Sequence, residues 1–428
     1  MFAIVVGAGI TGKSASSYLA QLGADVLLYD DQRVDYEHEQ VNITTDLAQA
    51  RAELKRAAMM VISPSVPLTH ELVSLAHAQQ VRVVSEVDLA VADYRGVIIA
   101  VTGTNGKSTV CQYIQHLLRK HRCDSALAGN IGVPITSVLR KHCPDYLVLE
   151  LSSYQLAQSH LPPVKVAVFT NFSADHLQYH RDLATYFRAK SSIFASAELA
   201  ISDVEVYHRS PQPHHIVVSE HDTTYHVHKN STHAHNAKNR TSELHQQLAA
   251  TSAFATHDLS NAVMALLAVE QAIGVASPQL VSELDSCEKP PHRLQHIGMV
   301  NGYPVVNDSK ATNIGATLAA LRAQSQPVLL IVGGLAKRQI FLPLLTYRAK
   351  INGLYIFGAD GEQIYTELAP HLPCKLFPNL AAVMRSLQAE LSCLASGVLF
   401  SPACATDGEF RDFVARGEAF VGWVQQSR

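Results

Sequence analysis

"TGTNGKST", residues 102–109, follows an apolar run, Val97 to Val101. It opens a stretch in which Val110, Tyr113, Ile114, Leu117 and Leu118 recur at helical spacing. Strand, glycine-rich loop and amphipathic helix form the context in which such a loop grips phosphate. Gly103 and Gly106 free the loop, which also holds Thr104, Asn105 and Thr109, to point amides inward. Lys107 supplies positive charge to the β- and γ-phosphates, and Ser108 offers a hydroxyl to Mg²⁺. A strict Walker pattern places glycine at position 101; Val101 stands there, so the loop is shorter than the standard one. The preceding strand is apolar without alternation, as expected of a parallel strand covered on both faces. The chain is therefore read as α/β.

The same grammar opens the chain. "AIVVG" is a buried strand, "GAGITG" (7–12) a glycine turn, and Tyr18, Leu19 and Leu22 share a helical face that ends at Gly23. "ADVLLYD" is the next strand and ends on Asp30, the acidic residue that a dinucleotide-type unit carries about twenty residues on. The turn points to a nucleotide or phosphate without naming which. A third series, "PVLLIVGG", "GLYIFG" and "GVLFSPA", follows the paired prolines of "EKPPHR". Three Rossmann-like or P-loop parallel-sheet domains in series are expected, over residues 1–90, 91–290 and 291–428.

Composition narrows the class. The 428 residues are 47% hydrophobic and 17% charged, with a net charge of −3, so nucleic acid is not an expected partner. No run reaches the roughly 20 apolar residues of a membrane helix, and the N-terminus reads as a strand rather than a signal peptide. The 7 cysteines contain no C-x-x-C pair and suit a reducing cytoplasm. The His-rich stretch 214–245 has irregular spacing and reads as a solvated loop, not a metal tract.

Further candidates lie at strand ends. Glu150 closes "LVLEL", and a carboxylate so placed is rarely buried unless it is paired or on a metal. Asp175, His176 and His180 follow "VKVAVFTNF", at the edge where open α/β sheets bind ligands. Lys190 reads as a surface lysine on a helix. "VVNDSKATN" and "SPACATDGEF" end strands of the third series, and a Lys and Asp at such a mouth suit an anionic substrate.

"TGTNGKST", "GNIG", "LELSSYQL", "DHL", "PHR", "NDSKATN" and "SPACA" occur in this order between residues 102 and 405, and with the first glycine turn and Phe413 the resemblance spans residues 7 to 413. Together they resemble the Mur ligases of bacterial cell-wall synthesis, most narrowly the branch that adds D-glutamate. The resemblance implies ATP-dependent amide formation between UDP-N-acetylmuramoyl-L-alanine and D-glutamate through an acyl phosphate, with two Mg²⁺ sites. It assigns the first glycine turn to the uridine nucleotide and the second to ATP. Gly9, Ile10, Thr11, Asp30, Asn130 and His176 would then contact the UDP substrate. Asn261, His292, Arg293 and Asp308 would join the loop residues on ATP. Ser108, Glu150, His176 and Lys190 would hold metal, Lys190 as a carbamate; Lys107, His176 and Lys190 would be catalytic. Lys310, Thr312, Lys337, Thr406 and Phe413 would receive D-glutamate. A cytoplasmic monomer is expected, and because the substrates must be gripped from different domains, closure about hinges near residues 90 and 290 is expected as well.

Four positions depart from the family pattern: Ser65, Gln178, the surroundings of Lys337, and Asp407 in the amino-acid pocket. Alternatives consistent with the bare motifs are a ligase for another amino acid, a nicotinamide oxidoreductase built on "GAGITG", and a nucleotide-dependent switch.

Overall fold

The computed structural model describes residues 1–32, 34–218, 244, 247–248, 256–284, 286–287, 291–390 and 396–426, with backbone only at 178, 256 and 257. Most of the His-rich stretch, and the expected hinge at 290, lie outside the described residues.

Strands β1 (Phe2–Val6), β2 (Asp25–Tyr29), β3 (Val41–Thr44), β4 (Met59–Ile62) and β5 (Arg82–Ser85) form a parallel sheet in the order β3-β2-β1-β4-β5. A second parallel sheet comprises β6 (Val97–Thr102), β7 (Ser125–Gly129), β8 (Tyr146–Glu150), β9 (Val164–Phe169), β10 (Ala197–Asp203) and β11 (His215–Val218). Its order is β11-β10-β9-β6-β8-β7, which puts the strand before "TGTNGKST" between β9 and β8. The third sheet contains β12 (Gln295–Val300), β13 (Tyr303–Asn307), β14 (Val328–Gly333), β15 (Ile351–Phe357), β16 (Cys374–Phe377) and β17 (Gly397–Phe400), in the order β12-β13-β17-β14-β15-β16.

The expected parallel-sheet architecture holds, with one antiparallel pair in the third sheet, β12 and β13. They join at Asn301 and Gly302, both with positive φ (50° and 81°), the conformation a tight hairpin turn demands.

The unalternating apolar strands have the expected cause. In the second sheet Ile99, Val101, Val148, Val166 and Val168 meet one layer, including Val110, Tyr113 and Ile114 of helix Lys107–Lys120 and Val263 and Leu266 of helix Thr256–Ile273. Ile98, Ala100, Leu147, Leu149 and Phe169 meet the layer on the opposite face. Each such buried Val, Leu, Ile or Phe contributes about 1.5–3 kcal/mol.

The chain divides into two compact units. One comprises residues 1–172, 180–254 and 258–287; the other comprises 173–179, 255–257 and 288–428. In the first, polar bonds join elements on either side of residue 90. Glu86, 2% exposed, accepts from both the amide and the hydroxyl of Thr136, at 2.7 and 2.8 Å. Gln158 donates to the Val66 carbonyl at 2.9 Å, and the hydroxyls of Ser85 and Ser159 lie 2.8 Å apart.

Candidate functional site

In the first unit the loop 103–106 is held by its own surroundings. Thr104 N donates to the Asn171 carbonyl (2.9 Å), Asn105 N donates to Asn171 Oδ1 (3.0 Å), and Thr170 Oγ1 donates to the Asn105 carbonyl. Thr170 and Asn171 follow β9 directly; only their place after an apolar strand marked them in the sequence. Gly106, with φ +82°, is the N-cap of helix Lys107–Lys120, and no side chain caps that helix. A Cβ on Gly106 would come 2.4 Å from Asn261 Oδ1, so glycine is required on steric as well as conformational grounds. Asn261 is thereby brought to the loop. The helix N-terminus carries no acidic residue in its first turn and presents amides suited to phosphate.

Two amines serve this loop. Lys107 Nζ donates to the carbonyls of Gly103 and Thr104, both at 2.9 Å. Lys190 Nζ donates to the same Gly103 carbonyl at 2.6 Å and lies 5.0 Å from the centre of the Tyr186 ring. Lys190 is 2% exposed, which corrects its reading as a surface lysine. Helix Leu183–Ser191 turns this side inward, with Tyr186 also buried.

Glu150 ends β8 directly opposite Val101 in the register and is 1% exposed. Its Oε1 accepts from Asn130 Nδ2 at 2.7 Å, so the structure brings these two candidates together. Its Oε2 is buried with no hydrogen-bond partner. A buried carboxylate oxygen left unpaired is costly, and a hard divalent cation would satisfy it. The fully buried Cys111 thiol is pushed up by burial and then by the Glu150 charge, while Lys107 opposes the shift, so both charges act on one spot. Glu150 with the Ser108 hydroxyl therefore fits Mg²⁺ by donor chemistry. Among the described residues no group of three or more His, Cys, Asp or Glu side chains stands together as a metal cluster.

His180 follows Asp175 and His176 in the sequence after β9. It lies in the first unit, buried, with Nε2 2.8 Å from Ser153 Oγ. Burial, and then the Lys190 charge, lower its pKa to about 4.

At the first glycine turn, Asp30 Oδ2 accepts from Ala8 N at 2.7 Å and Oδ1 accepts from Gln32 N at 2.9 Å. The acidic residue thus braces the turn as well as facing the cleft. That cleft, about 200 Å³, is lined by Gly7, Tyr29, Asp30, Asp31, Gln32, Ser65, Val66, Pro67 and His70, with Val6. Gly12 packs so closely that a Cβ would come 1.7 Å from the Gly7 carbonyl oxygen. A Cβ on Gly9 would meet nothing within 4 Å, which leaves its backbone open to a ligand. Ile10 is 71% exposed beside it, and Thr11 is half-buried.

The second unit holds the remaining candidates. His176 has φ +55° and its amide donates to Asp175 Oδ1 at 2.8 Å; Asp175 Oδ2 accepts from Asn313 Nδ2 at 3.2 Å. His292, 5% exposed, lies 2.9 Å through Nδ1 from Asn307 Nδ2, and burial lowers its pKa. Arg293 is half-buried beside it. Asp308 accepts from Leu294 N at 3.2 Å and from Ser401 Oγ at 2.8 Å.

Lys310 Nζ stands 3.8 Å from the centre of the Phe413 ring, a cation–π contact that brings two amino-acid-site candidates together. Lys337, with φ +51°, and Thr406 follow β14 and β17, whereas Thr312 follows β13. Asp407 accepts from Ala359 N at 2.9 Å, so its charge meets a backbone amide between two loops. Sequence reading missed Arg416, a wholly buried cation of this unit.

Comparison with known proteins agrees with this anatomy. Residues 101–269 match the Mur ligase middle domain, and residues 2–85 match the Mur ligase MurD-like, N-terminal domain. The chain is 31% identical to the UDP-N-acetylmuramoylalanine–D-glutamate ligase of Psychrobacter arcticus, covering 99% of this chain and 94% of that protein. It is likewise 31% identical to the ligase of the same name from Saccharophagus degradans, covering 98% and 96%. Its fold resembles that of a MurF ligase from Thermotoga maritima solved with ADP, at a TM-score of 0.56 and 14% identity, over 99% of this chain and 94% of that one.

Proposed function

The chain belongs to the Mur ligase family, and from that premise we propose that it joins D-glutamate to UDP-N-acetylmuramoyl-L-alanine with ATP. The observation that carries the ATP half is the uncapped helix N-terminus at Gly106, with Lys107 and Lys190 on its loop and the unpaired Glu150 oxygen nearby. The choice of amino acid rests on the shared name of full-length relatives.

A carboxylate is a poor electrophile. Phosphorylation of the alanyl carboxylate would supply a leaving group, and attack by the amine of D-glutamate on the acyl phosphate would form the amide and release phosphate. Little covalent chemistry is left for the protein, so its work is positioning and charge neutralisation. Lys107 is suited to leave its two carbonyls for phosphate oxygens. Ser108 and Glu150 would hold Mg²⁺, which when bound neutralises charge on the phosphates. Lys190, if carbamylated, and His176 would serve a second ion. Asn130, which steadies Glu150, would meet the muramoyl substrate. Gly9, Ile10, Thr11 and Asp30 would receive the uridine nucleotide at the first cleft. Lys310, Thr312, Lys337, Thr406 and Phe413 would receive the amino acid. Among the described residues no helix is long and apolar enough to cross a membrane, and we read the protein as a cytoplasmic monomer.

Phosphate release from ATP, measured with the UDP substrate and each amino acid in turn, tests the reading. Release that depends on D-glutamate, with a product mass raised by one glutamyl residue, is expected. Release with a different amino acid moves the specificity. Nucleotide binding with no amide under any combination would overturn it.

A further inference from the structure

Helix Phe413–Gln426 carries Arg416 in its first turn, 1% exposed. Among the described residues no carboxylate forms an ion pair with it. Instead Nε donates to Ser309 Oγ (3.1 Å), and Nη2 donates to the carbonyls of Ser309 (2.9 Å) and Cys404 (3.1 Å). Ser309 Oγ in turn donates to the Phe413 carbonyl at 2.8 Å. The remaining nitrogen, Nη1, is buried without a hydrogen-bond partner. It faces the backbone at Gly334, where a Cβ would lie only 3.3 Å away.

Desolvating a guanidinium is costly, and here the Asp407 and Glu409 carboxylates support its charge without forming an ion pair with it. Burial lowers this group to about 10, which leaves it charged at neutral pH. Its place suggests the reason. Three loops meet around it: the one after β13 with Ser309, the one after β14 with Gly334, and the one after β17 with Cys404. All three lie at the carboxyl ends of parallel strands, where open α/β sheets bind ligands. The same loops carry Lys310, Thr312, Lys337 and Thr406, and Phe413 begins the helix that carries Arg416.

We propose that Arg416 is a positioning residue of the amino-acid pocket: it ties the loops after β13 and β17 together through Ser309 and Cys404, packs against the loop after β14 at Gly334, and its charge favours an amino acid with an acidic side chain over the neutral isostere. A bolt without an electrostatic role would hold the same loops yet leave that preference alone. The proposal rests on the ligase reading above.

The test uses the full-length enzyme, Arg416→Met and Arg416→Lys, with D-glutamate and D-glutamine as competing acceptors. For Arg416→Met, KM for D-glutamate should rise about thirtyfold and the preference for D-glutamate over D-glutamine should shrink by about tenfold, as expected for loss of a buried charge contact. Arg416→Lys keeps the charge and loses the fork; it should raise KM for D-glutamate while retaining most of the preference. KM for the UDP substrate should stay within about twofold in both, since its turn and cleft lie in the first unit; KM for ATP is not a control, because Asp308 precedes Ser309 on a loop this residue holds. An unchanged acceptor preference in Arg416→Met, or equal losses for D-glutamate and the UDP substrate, overturns the proposal. Should Arg416→Met not fold, Arg416→Lys decides: a rise in KM for D-glutamate that the UDP substrate does not share supports it, and an unchanged KM for D-glutamate sinks it. Wild-type enzyme that does not use D-glutamate at all would indict the ligase reading rather than Arg416.

Discussion

The two glycine turns, 7–12 and 103–106, share a backbone device and differ in charge. Each sits between a parallel strand and a helix whose N-terminus lacks a side-chain cap and an acidic first turn. At the first, the amide of Ala8 is tied to a carboxylate, Asp30, and the nearby Lys13 donates to the Asp35 carbonyl instead of the turn. At the second, two lysine amines lie on the loop carbonyls, and a carboxylate oxygen waits unpaired at the end of the adjoining strand. A turn that only holds a nucleotide needs shape and amides. A turn at which a phosphoryl group is transferred also needs mobile positive charge and a place for a metal.

Substitutions at the two turns should separate their charge requirements. The largest effect belongs to Lys107→Ala, with kcat/KM expected to fall by about 10²–10³, whereas Lys13→Met should cost less than about threefold. Comparable losses in both would erase the distinction. Glu150→Gln should lower activity by about a hundredfold and abolish the rise in melting temperature that Mg²⁺ with ATP gives the wild type. A retained Mg²⁺-dependent rise would place the metal elsewhere. Gly12→Ala, forced against the Gly7 carbonyl, should destabilise by about 1–3 kcal/mol and raise KM for the UDP substrate more than KM for ATP.

The smallest effect concerns pH and neither turn directly. His180 and the wholly buried His215 both have pKa values lowered from 6.5 to about 4 by burial. The unfolded chain takes up protons at higher pH than the fold does. The stabilisation these two neutral rings contribute is therefore complete above about 6.5 and is lost as pH falls toward about 4. Melting temperature should decline over that window, and His215→Gln should flatten part of the decline. A profile identical to wild type would remove His215 from the account.

Features written in contiguous residues were legible. The strand–turn–helix units at 97–120 and 2–21 need only local periodicity and glycine, and both formed where the spacing put them. Glu150 was legible as an anomaly, a charge closing an apolar strand. Lys190 and Arg416 were not, because each is justified only by a distant carbonyl. Lys190 meets Gly103 across 87 residues, and Arg416 meets Ser309 across 107. Nothing local separates such a cation from a solvated one. The β12–β13 hairpin is a different case: Asn301-Gly302 between apolar residues is a strong turn signal that the α/β pattern of the region masked. Asp407, a departure from the family pattern, is met by the Ala359 amide, a partner only the fold could supply.

We propose that the two turns hold different nucleotides. Calorimetric titration of UDP and of Mg²⁺-ADP into wild type, Asp30→Ala and Lys107→Ala tests it most directly. Both nucleotides should bind wild type together without competition. Asp30→Ala should weaken UDP by about tenfold and leave ADP unchanged, and Lys107→Ala should do the reverse. Competition between UDP and ADP for one site, or equal weakening of both by either substitution, would contradict the claim.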